Sequence, residues 1–256
     1  MIPKIIHYCW FGPNPIPDKE QKCIESWKKY FPDFEFKFWN ENSFNVNNNE
    51  FTIQAYESKK FAFVSDYVRV KALYEYGGLY LDTDVEVIKP FDIFFKNEAF
   101  LGFENRRSIG TAVIACEKRN PIIGKMLDYY QKHSFVDSKG NLNIVTNVEV
   151  LTEILEKDGL VRENSNQVVG KFHIYARDYF YTKKISDTEF LITENTVSIH
   201  KMSASWLTDR QIKRGNNKFW INIIRPILQN GRKIGLKIIG EKNIHKLEVW
   251  IRNKLK

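Results

Sequence analysis

Cysteine is scarce in this chain, and long apolar runs are missing. Cys9, Cys23 and Cys116 make an odd number with no C-x-x-C pair, so the spacing encodes neither a disulfide framework nor a cysteine zinc site. A reducing, cytoplasmic compartment is the expectation that follows. No stretch reaches the ~20 apolar residues of a spanning helix. Residues 1–12 are apolar only briefly before Pro13, Asn14 and Pro15, too short and interrupted for a secretory leader. With 13 Gly and 8 Pro in 256 residues, and no internal repeat, the chain is not collagen-like. Its 43% hydrophobic and 27% charged residues exclude wholesale disorder and suffice for one large core.

A net positive excess is absent from most of the chain and crowded into its end. The net charge is +8, yet residues 213–256 hold twelve Lys or Arg against Glu241 and Glu248, leaving the other residues at −2. That tail places Phe219, Trp220, Ile223, Ile224, Ile227 and Leu228 at helical spacing, and Leu247, Ile251 and Leu255 again. Either two helices pack on the body, or a basic amphipathic segment lies on an anionic membrane surface. The second is the expectation here. A body without positive excess argues against nucleic acid. The expected domains are residues 1–210 and a tail, residues 211–256.

Along the body, strand and helix patterns alternate. Residues 4–10 read as a buried strand and Gly12-Pro13-Asn14-Pro15 ends it. Asp18 caps a helix to about Tyr30, and residues 34–39 alternate as a strand. Six Asn in residues 40–50 read as loop. A helix over residues 61–76 stops at Gly77-Gly78, and residues 79–88 form a strand run ended by Pro90. Short strands follow at residues 99–103 and 111–116. Helices are expected over residues 121–132 and 148–157, the second capped by Asn147, and late strands over residues 172–175 and 196–200. This order predicts an α/β fold with a mostly parallel sheet flanked by helices.

The chemistry concentrates in residues 62–84. In a strand, Tyr80, Asp82, Asp84 and Glu86 share one face, opposite Leu79, Leu81 and Val85. Two adjacent carboxylates repel unless a cation lies between them. All-oxygen ligands suit Mg²⁺ or Mn²⁺, at the carboxyl end of a strand where open α/β sheets bind ligands. A bare D-x-D is common in solvated loops. The preceding helix sharpens it, because Asp66 and Arg69 share a helical face that Gly77-Gly78 turns back toward the acids. An arginine beside a metal fits a diphosphate.

The segment Ser65-Asp66-x-x-Arg69 … Gly77-Gly78-x-Tyr80-x-Asp82-x-Asp84 resembles the DXD-type sugar-transfer motif of glycosyltransferase family 32. Bacterial capsular polysaccharide transferases and the catalytic domains of clostridial glucosylating toxins share it. Residues 2–12, IPKIIHYCWFG, are similar to the family's opening strand, and residues 198–206, SIHKMSASW, to its closing block. The resemblance covers about residues 2–206 and implies a GT-A fold with a C-terminal helical extension. It implies a retaining, metal-dependent hexosyltransferase with Mn²⁺ or Mg²⁺ and a nucleotide-sugar donor, a UDP-hexose by the toxin-like Trp10 block.

By the same resemblance, His7 and Trp10 lie at the nucleotide, with Trp10 stacking on the base. Asp66 and Arg69 contact the donor sugar, and Tyr80 neighbours it. Asp82 and Asp84 hold the metal, with Asp84 the direct ligand. His200 joins them, Ser205 touches metal or diphosphate, and Trp206 donates to the leaving phosphate. The implied acceptor is a lipid-linked glycan of capsular or exopolysaccharide synthesis, at the inner face of the cytoplasmic membrane. Two other classes use paired acids: a metal-dependent nucleotide-sugar phosphohydrolase, and a non-catalytic nucleotide-sugar binder.

Overall fold

A computed structural model describes residues 1–138, 140–184 and 189–203, with Lys183 and Lys184 described by backbone only. The chain divides after Ser203, and residues 204–256 lie outside the described residues. The tail helices, Ser205 and Trp206 therefore fall outside it too.

The described elements, in chain order, begin with strand β1 (Ile5–Cys9), helix α1 (Asp18–Tyr30) and β2 (Glu35–Trp39). Helices α2 (Glu50–Glu57) and α3 (Phe61–Tyr76) lead into β3 (Gly78–Leu81) and β4 (Val85–Val87). Strands β5 (Ala99–Phe103) and β6 (Ile109–Cys116) precede α4 (Pro121–Lys132) and α5 (Asn147–Lys157). Then come β7 (Gln167–Val169), β8 (Phe172–Tyr175), α6 (Arg177–Phe180), β9 (Lys183–Lys184), β10 (Phe190–Leu191) and β11 (Ser198–His200).

Seven strands form the main sheet in the order β2-β1-β3-β6-β5-β8-β7. β1 pairs in parallel with β2 and β3, and β5 with β8; β6 and β7 run against their neighbours. Five of the seven strands thus point one way, and their carboxyl ends share an edge. The expected α/β fold with a mostly parallel sheet and flanking helices is what forms.

Both sheet faces are covered, so the strands lack a polar face. One core holds Phe51, Phe63, Leu73, Tyr80, Met126 and Leu151. The other holds Trp27, Phe31, Leu79, Leu81, Phe94 and Phe180. Hence β3 buries Tyr80 on one side and Leu79 and Leu81 on the other.

Local chemistry explains the turn that feeds β3. Gly77 and Gly78 take φ of 68° and 106°, values that favour glycine. A Cβ on Gly78 would lie 2.5 Å from the Ile5 carbonyl oxygen. The helix can therefore reverse directly into β3 while β3 lies flush against β1.

Several details differ from the sequence expectations. Asp18 does not cap α1: Pro17 is the N-cap, without a side-chain hydrogen bond, and Asp18 is the first helical residue. Helix α2 starts at Glu50, where the asparagine-rich stretch ends, because Asn49 accepts hydrogen bonds from the backbone of Phe51 and Thr52 and so caps a helix that was not expected. Thr146, not Asn147, caps α5 through a capping box with Glu149. Asn147 is buried instead, bonded to the Tyr130 hydroxyl and, at 3.0 Å, to the Asp66 carbonyl. Finally, residues 79–88 are not one strand. They break after Leu81, with Val85 N–H donating to the Asp82 carbonyl at 2.9 Å.

Candidate active site

That break builds the site. Asp82, Thr83 and Asp84 form the turn between β3 and β4, so the two aspartates converge through a turn rather than by strand alternation. β4 is held from α1, whose Trp27 indole donates to the Val85 carbonyl at 2.6 Å. It pairs antiparallel with β11, with His200 opposite Val85. This pairing, far apart in sequence, delivers His200 to Asp84. The His200 Nε2 lies 3.2 Å from Asp84 Oδ1, and Ser203 N–H donates to Asp84 Oδ2 at 2.8 Å.

Arg69 organises the other side. Its Nη2 is 3.0 Å from Asp66 Oδ1 and 3.1 Å from Asp82 Oδ1, and its Nη1 donates to the Thr111 carbonyl at 2.9 Å. The guanidinium carbon stacks 4.6 Å above the Tyr80 ring, whose hydroxyl donates to Asp82 at 2.8 Å. Only 6% of Arg69 is exposed. The sequence expectation made Arg69 a contact to the sugar. The structure spends both its terminal nitrogens on protein, where two partly buried carboxylates share one cation. Arg69 thereby holds Asp66 and Asp82 in place and the Tyr80 hydroxyl holds Asp82, while Arg69 Nε is buried without a hydrogen-bond partner.

The electrostatics follow the burial. Burial pushes the Asp66 carboxyl up to about 6, against the pull of Arg69. Burial also acts to raise Asp84, but His200 and the Ser203 N–H outweigh it and hold the carboxyl below its usual range. His200 is raised, since the Asp84 carboxylate overcomes the burial that would lower it.

Asp82, Asp84 and His200 each offer a ligand atom, all within 4.8 Å of one another. His200 Nδ1 is buried without a hydrogen-bond partner. Two carboxylates and an imidazole fit a divalent ion, and the nitrogen inclines the set toward Mn²⁺ over Mg²⁺.

The structure brings together Asp66, Arg69, Tyr80, Asp82, Asp84 and His200. Trp10 follows β1 at the same sheet edge, half-buried, its indole bonded to the Asn14 carbonyl at 2.7 Å. His7 is elsewhere. It is fully buried, with Nε2 on the Gly77 carbonyl at 2.8 Å and Nδ1 accepting from the Trp39 indole at 3.2 Å. With both ring nitrogens engaged, His7 braces the glycine turn and has nothing to offer a nucleotide. Thr111 was invisible in the sequence, because it acts through its backbone carbonyl.

The carboxylate turn and the arginine behind it lie within a span that is similar to a known sequence family. Residues 17–101 match the family model described as a glycosyltransferase sugar-binding region containing a DXD motif. The matched span includes Asp82-Thr83-Asp84. The inositol phosphoceramide mannosyltransferase 3 of Schizosaccharomyces pombe is 29% identical over 142 residues, 52% of this chain and 38% of the relative. An uncharacterized glycosyltransferase of Acanthamoeba polyphaga mimivirus is 29% identical over 154 residues, 56% of this chain and 60% of the relative. The solved PaToxG glycosyltransferase overlaps with a TM-score of 0.47 and 21% identity, over 62% of this chain and 69% of that one. The chain spans less than half the length of the curated mannosyltransferases it matches.

Proposed function

We propose that this chain is a metal-dependent glycosyltransferase that moves a hexosyl group from a nucleotide-diphosphate sugar to a hydroxyl of a lipid-linked acceptor. The observation that carries the reading is the convergence of Asp82, Asp84 and His200 beside the Asp66–Arg69 pair. The matched sugar-binding region supports it. The inositol phosphoceramide mannosyltransferases among the relatives support a hexosyl group and a lipid acceptor. Retention, a UDP donor, a capsular or exopolysaccharide setting and a place at the inner face of the cytoplasmic membrane rest on the sequence resemblance.

Asp82, Asp84 and His200 would hold the divalent ion. When bound, it supplies positive charge to the leaving diphosphate as that group gathers negative charge. This chain's residues do the remainder. Arg69 fixes Asp82 and Asp66 so that neither carboxylate turns away. Asp66 has one oxygen on Arg69, and its other oxygen is free to accept from a donor-sugar hydroxyl. Trp10 offers a half-exposed ring at the end of β1 for the base. Same-face attack gives retention without a protein nucleophile, with a donor phosphate oxygen accepting the acceptor's proton.

A thermal-shift screen of UDP-glucose, UDP-galactose and GDP-mannose, each with and without Mn²⁺, tests the donor. One of them should raise the melting temperature only with metal, since binding the native state stabilises it by mass action. Asp84→Asn should abolish that metal-dependent shift and lower turnover at least 100-fold. No shift with any donor, or near-wild-type turnover in the variant, would sink the reading.

A further inference from the structure

The same sheet edge carries a second pair of charged groups, on the far side of β6 from Asp82. Glu104 directly follows β5, and Arg177 opens α6 just after β8. β5 and β8 pair in parallel with Gly102 opposite Tyr175. Glu104 and Arg177 each lie two residues beyond that last paired position, past the ends of adjacent strands.

Packing holds both in place. A Cβ on Gly102 would lie 2.8 Å from the Phe180 ring, and one on Gly110 would lie 2.3 Å from the Tyr181 ring. These glycines let the segment from Arg177 to Tyr181 press onto the strand ends. The Tyr181 hydroxyl accepts from Val113 N–H at 2.8 Å, and its ring meets His200 edge-on at 5.7 Å. Arg177 donates from Nε to the Tyr181 carbonyl at 2.9 Å and from Nη2 to the Thr182 carbonyl at 3.4 Å. Its Nη1 has no partner among the described residues. Glu104 has a single side-chain hydrogen bond, from Asn105 to Oε1 at 3.4 Å.

Glu104 and Arg177 feel each other's charge, and Glu104 also feels His200 and Asp82. Yet no ion pair joins Glu104 to Arg177. A carboxylate oxygen of Glu104 and a guanidinium nitrogen of Arg177 thus remain without a partner among the described residues, just past the strand ends that carry the site. A hydroxyl can both donate and accept, and bonds to charged groups are the stronger kind.

We propose that Glu104 and Arg177 form the acceptor subsite and bind neighbouring hydroxyls of a polyhydroxylated ring. Glu104 accepts from one hydroxyl and Arg177 donates to the next. The donor then occupies the β1–β3 side of the edge and the acceptor the β5–β8 side. This assignment rests on the transferase reading above and names the class of its second substrate.

The test uses the full chain with Mn²⁺ and the donor that shifts its melting temperature. Nucleotide release is followed with added myo-inositol, methyl α-mannoside or methyl α-glucoside. At least one polyol should accelerate release by the wild type. Glu104→Gln should cut that acceleration at least tenfold, and Glu104→Asp should recover part of it. Both variants should keep the donor-induced rise in melting temperature. Acceleration within twofold of wild type in Glu104→Gln would overturn the subsite, as would loss of the donor-induced shift or the absence of polyol acceleration in the wild type. Failure of every donor to bind the wild type would instead overturn the transferase reading.

Discussion

Arg69 shows how one residue can decide whether a pair of acids is usable. It pairs with both Asp66 and Asp82 through one cation, in surroundings where either carboxylate without it would be costly. Arg69→Met should therefore lower stability by about 3 kcal/mol, the scale of removing one partner from a buried ion pair. Urea unfolding at pH 7 measures it, and a loss under 1 kcal/mol would mean that the carboxylates find another partner. His7 makes a pH prediction. Burial holds its imidazole down to about 4, from 6.5. The unfolded chain then takes up the proton first as pH falls from 6.5 to 4, so this contribution to stability is complete above pH 6.5 and shrinks below it. The full loss is roughly 3 kcal/mol at about 1.4 kcal/mol per pH unit. Asp66, raised to about 6, works in the opposite sense between pH 3.8 and 6. The check is thus the difference in unfolding free energy between wild type and His7→Gln. It should change across pH 4–6.5 and be flat above, and a difference flat throughout would rule the burial argument out.

Among the elements, the α3–β3 reversal governs the site, because it sets where β3 ends and where the DXD turn begins. Gly78→Ala puts a side chain at a positive φ and against the Ile5 carbonyl. The backbone strain alone costs about 1–2 kcal/mol, and the clash adds to it. Calorimetry should show a clear fall in melting temperature together with weakened donor binding; an unchanged melting temperature would contradict the close β1–β3 approach. Much of this level was legible. The helix over Phe61–Tyr76, its glycine stop and the Asp66–Arg69 face follow from short-range periodicity. Helix α2 was hidden because asparagines read as loop until one of them caps a helix. The split between β3 and β4 was hidden because Leu79, Leu81, Val85 and Val87 keep strand spacing across a turn.

For the whole molecule, the basic tail and the body call for separate tests. If residues 213–256 bind an anionic surface, deleting residues 211–256 should abolish sedimentation with vesicles containing phosphatidylserine and leave the metal-dependent donor shift intact. Continued sedimentation would remove the membrane role. No helix among the described residues is long and apolar enough to cross a membrane. What the sequence by itself determined is local: the alternation of elements, the charge asymmetry, and the D-x-D with its upstream Asp66 and Arg69, all carried by neighbours within one helix or one turn. Tertiary structure alone decided that Arg69 is held by the Thr111 carbonyl and that His7 faces inward, and it set the contact of His200 with Asp84 that only the family resemblance had implied. Each of these depends on strand order and register, which arise from how two apolar cores close over a sheet and leave no mark at any single position.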